Sequence, residues 1–240
     1  MRTTSTAMIA GILMLGCSTV YAASARSVSI ASNGGSASAT ATATGNADSV
    51  AIAGASQGGR AVANSNAIGT RRGYADSTAV ATAVRGLAIS NSLADARGTR
   101  GGWASAESES VAATFGGTAI SNSDAIARGS WHGRARSRSF STALSRFGRA
   151  ISNSRAVSRG RWGGSATSVS DSLADSIGGT ALSDVEAVSG AEWFSRAHAD
   201  GLGVSIAGRR GFRRANVYAE SRTRRFGRGR SRAVSVEVGR

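Results

Sequence analysis

The sequence predicts an all-β fold, a β-solenoid or β-roll of about 31-residue repeats around a tight Ala/Ser/Gly interior. The segment AISNS begins at Ala88, Ala119 and Ala150, and a degenerate copy begins at Ala181, each 31 residues after the last. Between glycine-containing turns, small and larger residues alternate with a period of two, which is typical of strands. Self-similarity at a fixed period of this length indicates stacked repeats.

The composition separates this chain from ordinary globular enzymes. Leu, Ile, Val and Phe make up only 41 of 240 residues, the formal net charge is +15, and proline is absent. Such a composition is typical of disordered chains, which bury too little apolar surface to offset chain entropy. A disordered chain has no reason to keep repeat spacing and parity, so we expect order from about residue 28 to residue 208.

The chain divides into three predicted segments. Residues 1–22 have the features of a secretory signal peptide, with Arg2 before a short apolar run and small residues before Ala23. We expect residues 23–208 to form the repetitive solenoid and residues 209–240 to form an Arg-rich basic tail. The signal predicts a secreted, extracellular or cell-surface protein without a transmembrane segment. Cleavage before Cys17, with lipidation of this single cysteine, remains an alternative.

The Ala/Ser face of each repeated strand is predicted to point inward. This face carries no charged residue, whereas the opposite face carries Asp124, Arg155 and Glu186. Burying unpaired charges is unfavourable, so the charged face must meet solvent.

Equivalent positions on neighbouring turns should stack about 4.8 Å apart and form outer rows. The predicted apolar outer row is Val62, Ile89, Ile120, Ile151 and Leu182. Two positions further, the predicted polar ladder is Asn64, Asn91, Asn122, Asn153 and Asp184, in which side-chain amides can hydrogen-bond along the row. A second apolar row is Ile68, Ile126, Val157 and Val188, interrupted by Asp95. These rows either stiffen the coil or offer a surface for self-association or for a ligand.

Enzymatic and metal chemistry are not expected. Residues 54–58 match the spacing of a nucleophile elbow, but no helical pattern follows Ser56. His132 and His198 are the only histidines, and with one cysteine they leave no zinc constellation. We therefore expect no catalytic residue, no cofactor, no metal and no small-molecule substrate.

The last 40 residues carry eleven arginines against two glutamates. This charge density, interleaved with Phe212, Tyr218 and Phe226, predicts binding to anionic polymers such as polysaccharide, lipopolysaccharide or extracellular DNA. The predicted contacts are Arg209, Arg210, Arg213, Arg214, Arg222, Arg224, Arg225, Arg228, Arg230 and Arg232. The alternative is a basic stripe built from arginines on every turn. We expect that stripe to matter less, because Arg128 and Arg159 are expected to lie far apart and beside local acids.

Short segments resemble two β-solenoid families. Residues 39–45 (ATATATG) and 64–69 (NSNAIG) resemble the hyperactive antifreeze proteins of longhorn beetles. That resemblance implies a flat solenoid with an outward, ice-binding threonine row, here Thr40, Thr42 and Thr44. Residues 46–54 (NADSVAIAG) are similar to the head repeats of trimeric autotransporter adhesins, which implies a left-handed parallel β-roll that binds matrix surfaces.

These observations together predict a secreted, non-enzymatic structural or adhesive surface protein. Its expected partners are itself, through stacking or fibre assembly, and anionic surface polymers. The alternatives are an ice-binding solenoid and a basic module that binds extracellular polyanions.

Overall fold

The computed structural model describes residues 22–32, 35–70, 73–98, 103–130, 134–162, 165–177, 179–193, 196–208, 211–224 and 228–239. The predicted signal peptide lies outside these residues except for its last residue, Ala22, and so does Cys17. The described residues contain fourteen strands. They are β1 (Ala22–Ala31), β2 (Ser36–Ala55), β3 (Arg60–Gly69), β4 (Tyr74–Val84), β5 (Leu87–Gly98), β6 (Trp103–Phe115), β7 (Thr118–Gly129), β8 (Arg134–Ser145), β9 (Arg149–Arg161), β10 (Ser165–Ser176), β11 (Thr180–Glu192), β12 (Arg196–Ala207), β13 (Arg213–Arg224) and β14 (Arg228–Gly239).

The strands form two parallel sheets that the chain visits alternately. Sheet I contains β1, the second half of β2, β4, β6, β8, β10, β12 and β14. Sheet II contains the first half of β2, followed by β3, β5, β7, β9, β11 and β13. The register offset between successive strands of one sheet is 31 residues from β5 to β11 and from β4 to β12. The predicted β-solenoid is therefore confirmed. Nowhere in the described part of the chain is there a helix long and apolar enough to cross a bilayer.

The interior consists of small side chains, as the parity of the strands predicts. Ala119 and Ala150 are fully buried, and so are Ser121 and Ser152. Many of the inner serine hydroxyls join the two sheets. Ser139 on β8 donates to the carbonyl oxygen of Ser123 on β7 at 2.7 Å. The Ser123 hydroxyl donates in turn to the carbonyl oxygen of Ser108 on β6 at 2.6 Å. These hydrogen bonds satisfy polar groups that burial would otherwise leave unpaired.

Glycines stack where each sheet I strand turns into a sheet II strand, and this side of the solenoid is termed the glycine edge. A Cβ atom on Gly117 would lie 1.9 Å from the carbonyl oxygen of Gly86, and one on Gly148 would lie 1.9 Å from that of Gly117. The next residue of each turn hydrogen-bonds to the same carbonyl: the Arg149 N–H donates to Gly117 O at 3.0 Å. Only glycine permits this approach of two backbones.

The strand ladder continues past residue 208, the expected end of the solenoid. The Arg-rich segment forms β13 and β14, which pair with β11 and β12. In this turn, Arg213 and Glu237 occupy inner positions that Ala181 and Ser205 fill one turn earlier. The Glu237 carboxylate accepts a hydrogen bond from the Ala215 N–H at 3.1 Å. Charged side chains at the inner positions of the last turn oppose the stacking of a further turn with a small-residue interior, because such a turn would bury them.

Candidate polyanion-binding edge and outer rows

The structure brings the predicted apolar outer row together on sheet II. Val62, Ile89, Ile120, Ile151 and Leu182 are register partners on five consecutive strands. Each of these side chains is partly buried. The second apolar row is also in register, with Asp95 interrupting it between Ile68 and Ile126.

The polar ladder forms as a chain of amide hydrogen bonds. Each Nδ2 donates to the preceding Oδ1 at 2.8 Å, from Asn91 to Asn64, from Asn122 to Asn91, and from Asn153 to Asn122. Asp184 has no amide donor to continue the ladder. The Nδ2 of Asn216 donates to Asp184 Oδ1 at 2.6 Å. A groove of about 840 Å³ runs beside the ladder across sheet II.

The predicted threonine row lies along a single strand. Thr40, Thr42 and Thr44 are exposed on β2, and the strand that pairs with them carries Asn64, Asn66 and Ile68 at the matching positions. Within the described residues, threonines therefore do not continue across neighbouring strands of sheet II as a two-dimensional grid.

Arginines stack where the sheet II strands end, on the side opposite the glycine edge. Arg97, Arg128 and Arg159 are register partners on β5, β7 and β9. Gly190 takes this position on β11, and Arg222 takes it on β13. Two more arginines, Arg161 and Arg224, lie two residues further along β9 and β13. Three others begin sheet I strands on the same side, namely Arg134, Arg196 and Arg228. The arginine edge is defined as Arg97, Arg128, Arg159, Arg161, Arg222, Arg224, Arg134, Arg196 and Arg228.

The expectation that Arg128 and Arg159 lie far apart beside local acids is wrong. They are paired on adjacent strands, about 4.8 Å apart along the solenoid axis. Both are exposed, and neither forms an ion pair with a described acid. Arg97 is 57 % exposed and pairs with Asp95 at 3.2 Å. The prediction treated a separation of 31 residues as a large distance. One 31-residue turn, however, brings the chain back to the same edge on the adjacent strand.

The structure does not gather the predicted tail arginines on one surface. Arg209, Arg210 and Arg225 lie outside the described residues. Arg222, Arg224 and Arg228 belong to the arginine edge. The remaining four are Arg213 at an inner position, Arg214 in the sheet II row that contains Leu182, and Arg230 and Arg232 on sheet I.

Aromatic side chains accompany the arginine edge. The Trp162 and Trp193 rings stack with centroids 5.0 Å apart and planes 3° from parallel. Trp162 is 44 % exposed and follows Arg161 directly. Tyr74 and Trp103 begin β4 and β6. The exposed part of the Trp162 side chain lies beside guanidinium groups, and this combination suits a sugar ring that carries an anionic substituent.

Sequence reasoning missed an apolar row on sheet I. This sheet I apolar row consists of Val28, Ile52, Val80, Val111, Thr142, Leu173, Val204 and Val236, in register across eight strands. Val28 is 57 % exposed and Ile52 is 39 % exposed. The sequence signal for this row was the 31-residue spacing of Val111, Thr142, Leu173 and Val204. The residue type changes from each of these positions to the next, so the row was not recognised.

Acidic side chains of sheet I lie on its first strands and again on β10 and β12, which carry Asp171, Asp175 and Asp200. Asp48, Asp76 and Glu107 are register partners on β2, β4 and β6. Burial and nearby acids raise the pKa of the Tyr74 phenol to about 12, and its hydroxyl donates to Asp76 Oδ2 at 3.2 Å.

No set of three or more potential metal ligands converges among the residues that the structure describes. No family model, curated protein or solved structure matches the chain.

Proposed function

We propose that the chain is a secreted, non-enzymatic structural and adhesive protein that holds an acidic polysaccharide along its arginine edge. The stacking of Arg97, Arg128 and Arg159 on three consecutive strands carries this proposal. Guanidinium groups present several donors in a fixed fork that pairs with sulfate, carboxylate and phosphate oxygens. A row of them at one per turn attracts a linear anionic chain through charge contacts that salt weakens.

The spacing of the edge favours a polysaccharide over DNA as the polyanion. The arginines repeat about every 4.8 Å along the solenoid edge, which is close to the length of one pyranose unit in an extended glycan. Phosphates of a DNA strand repeat about every 3.4 Å along the helix axis and wind around it. The partly exposed Trp162 side chain adds apolar surface next to these arginines, and such a surface suits the packing of a sugar ring.

The test compares two triple variants of the full chain that lose the same charge. R97S/R128S/R159S removes three side chains of the arginine edge, and R60S/R85S/R149S removes three exposed arginines of the glycine edge. On an immobilised sulfated glycan, we expect the first variant to elute at much lower salt and the second near wild type. Equal elution of the two variants overturns the proposal. Stronger retention of wild type on DNA than on the glycan assigns the edge to nucleic acid instead.

We propose that the chain also self-associates, by packing two copies face to face through the sheet I apolar row. Eight strands at about 4.8 Å and three outer positions along each strand span roughly 38 by 20 Å, near the ~800 Å² per partner of a typical stable interface. Charged side chains of both signs flank the row, including acids on β2, β4, β6, β10 and β12 and arginines on β8 and β14.

Light scattering and sedimentation of the full chain test the self-association. We expect a wild-type dimer that V80K/L173K converts to a monomer, because two buried ammonium groups would face the partner's apolar row. The control variant I120K/I151K changes the sheet II apolar row and should remain dimeric. A wild-type monomer at every reachable concentration, or dissociation by the control variant alone, contradicts the proposal.

A further inference from the structure

A notch interrupts the arginine edge at Gly190. The position holds arginine on β9 and on β13, as Arg159 and Arg222, so glycine leaves a gap between two guanidinium side chains. The gap is a cavity of about 220 Å³. Arg161 and Arg224 line its other side, two residues further along the same strands.

Two acids lie at this notch and leave part of its positive charge uncompensated. Glu192 stands between Arg161 and Arg224, and its Oε2 lies 3.8 Å from Arg161 Nε. Glu220 pairs with Arg222. Among the described acids, none forms an ion pair with Arg159 or with Arg224. These two guanidinium groups belong to strands that lie two steps apart, about 9.6 Å, so one small group fits between them.

We propose that the Gly190 notch binds a tetrahedral oxyanion, a sulfate ester or a phosphate group, carried by the polymer on the arginine edge. This inference rests on the proposed function and assigns its specificity to one position. A tetrahedral oxyanion offers oxygens on several sides, so guanidinium forks can bind it from both flanks of the notch. A carboxylate has only two oxygens, both in one plane, and therefore offers fewer acceptor positions to the two flanks.

Glycine at position 190 is not required by the fold. A Cβ atom there would meet nothing closer than Arg159 Cγ at 3.9 Å and the Ser158 carbonyl oxygen at 4.0 Å, which are ordinary contacts. The φ angle of Gly190 is not among those in the left-handed region. A larger side chain can therefore fill the notch while the strands keep their register.

The decisive variant is Gly190→Arg, because it separates site binding from general attraction. It completes the arginine row and adds one positive charge, so general electrostatic attraction predicts tighter binding of any polyanion. The notch proposal predicts the reverse, because the new side chain occupies the cavity. Calorimetric titration with a defined sulfated oligosaccharide should show affinity at least about tenfold weaker for G190R than for wild type, which is 1.4 kcal/mol.

Further ligands and variants identify the anion and keep the two proposals separate. Inorganic sulfate and phosphate should compete with the oligosaccharide, and E192Q should strengthen its binding by removing a competing carboxylate. A sulfated and a phosphorylated oligosaccharide of equal length distinguish the two sources of the oxyanion. If G190R binds as tightly as wild type or tighter, the notch proposal is overturned. The arginine-edge proposal then still stands provided that R97S/R128S/R159S weakens binding.

Discussion

Serine makes an interior of small side chains workable. A buried hydroxyl can reach the backbone of the facing sheet, as Ser121 does when it donates to the carbonyl oxygen of Ser110 at 2.6 Å. Where serine gives way to a larger residue, the facing position becomes smaller. A Cβ atom on Gly201 would lie 2.9 Å from Val217 Cγ1 and 3.2 Å from Val185 Cγ1. Close packing thus fixes the size of each inner residue against its neighbours.

Replacing Ser121 with leucine should destabilise the fold by about 1–3 kcal/mol or more, because the interior has no room for the added carbons. The control is Asp124→Leu on the outer face of β7. Burial raises the pKa of the Asp124 carboxyl, and Asp124 Oδ1 lacks a hydrogen-bond partner, so its removal should be neutral or stabilising. Urea unfolding followed by circular dichroism measures both. Greater damage from D124L than from S121L would reverse the assignment of inside and outside.

From β3 to β12, the alternation of residue types was enough to predict which side chains are buried. The repeat predicted that Asn64, Asn91, Asn122 and Asn153 would stack, and the structure shows that they do. It could not predict which serine hydroxyl pairs with which carbonyl. That pairing depends on the offset between the two sheets, which no single strand encodes.

At the scale of elements, the turns fix the stacking of the strands. The residue after each glycine of the glycine edge donates its N–H to the glycine carbonyl one turn earlier, as Thr118 does to Gly86 at 3.0 Å. This hydrogen bond holds two successive turns in contact at their tightest point. A side chain at this point would push the two turns apart and break this hydrogen bond.

Replacing Gly148 with alanine should therefore destabilise the protein strongly. Its Cβ atom would lie 1.9 Å from the Gly117 carbonyl oxygen, a clash with backbone that no rotamer change relieves. We expect the free energy of unfolding to fall by more than about 4 kcal/mol, which is typical only of severe packing or backbone defects. Gly190→Ala is the matched control, because its Cβ atom meets only ordinary contacts. Similar unfolding midpoints for the two variants in urea would contradict this role for the glycine edge.

The repeated AISNS segment predicted the sheet II strands better than those of sheet I. It occupies β5, β7 and β9, where equivalent residues are nearly identical. The sheet I strands repeat only in parity, so Val111, Thr142 and Leu173 did not suggest an apolar row. The final turn was predicted to be a basic tail because of its many arginines. Small and larger residues still alternate in β13 and β14, and these strands pair with β11 and β12.

At the scale of the whole molecule, the solenoid separates different chemistries onto different sides. One edge stacks glycines, the opposite edge stacks arginines, and sheet I presents an apolar row across eight strands. Because strands stack about 4.8 Å apart, residues 31 positions apart act together on one surface. The arginine edge is therefore a property of the folded repeats, and the last turn is only one part of it.

Arginine-specific chemical modification with and without a bound sulfated polysaccharide, read by mass spectrometry of peptides, tests this account most directly. We predict that the polysaccharide protects Arg97, Arg128 and Arg159, while Arg60, Arg85 and Arg149 on the glycine edge react as they do in the free protein. Protection should vanish when the protein is unfolded before the polysaccharide is added. Protection confined to residues 213–232, or spread evenly over both edges, would contradict a binding edge built by the folded repeats.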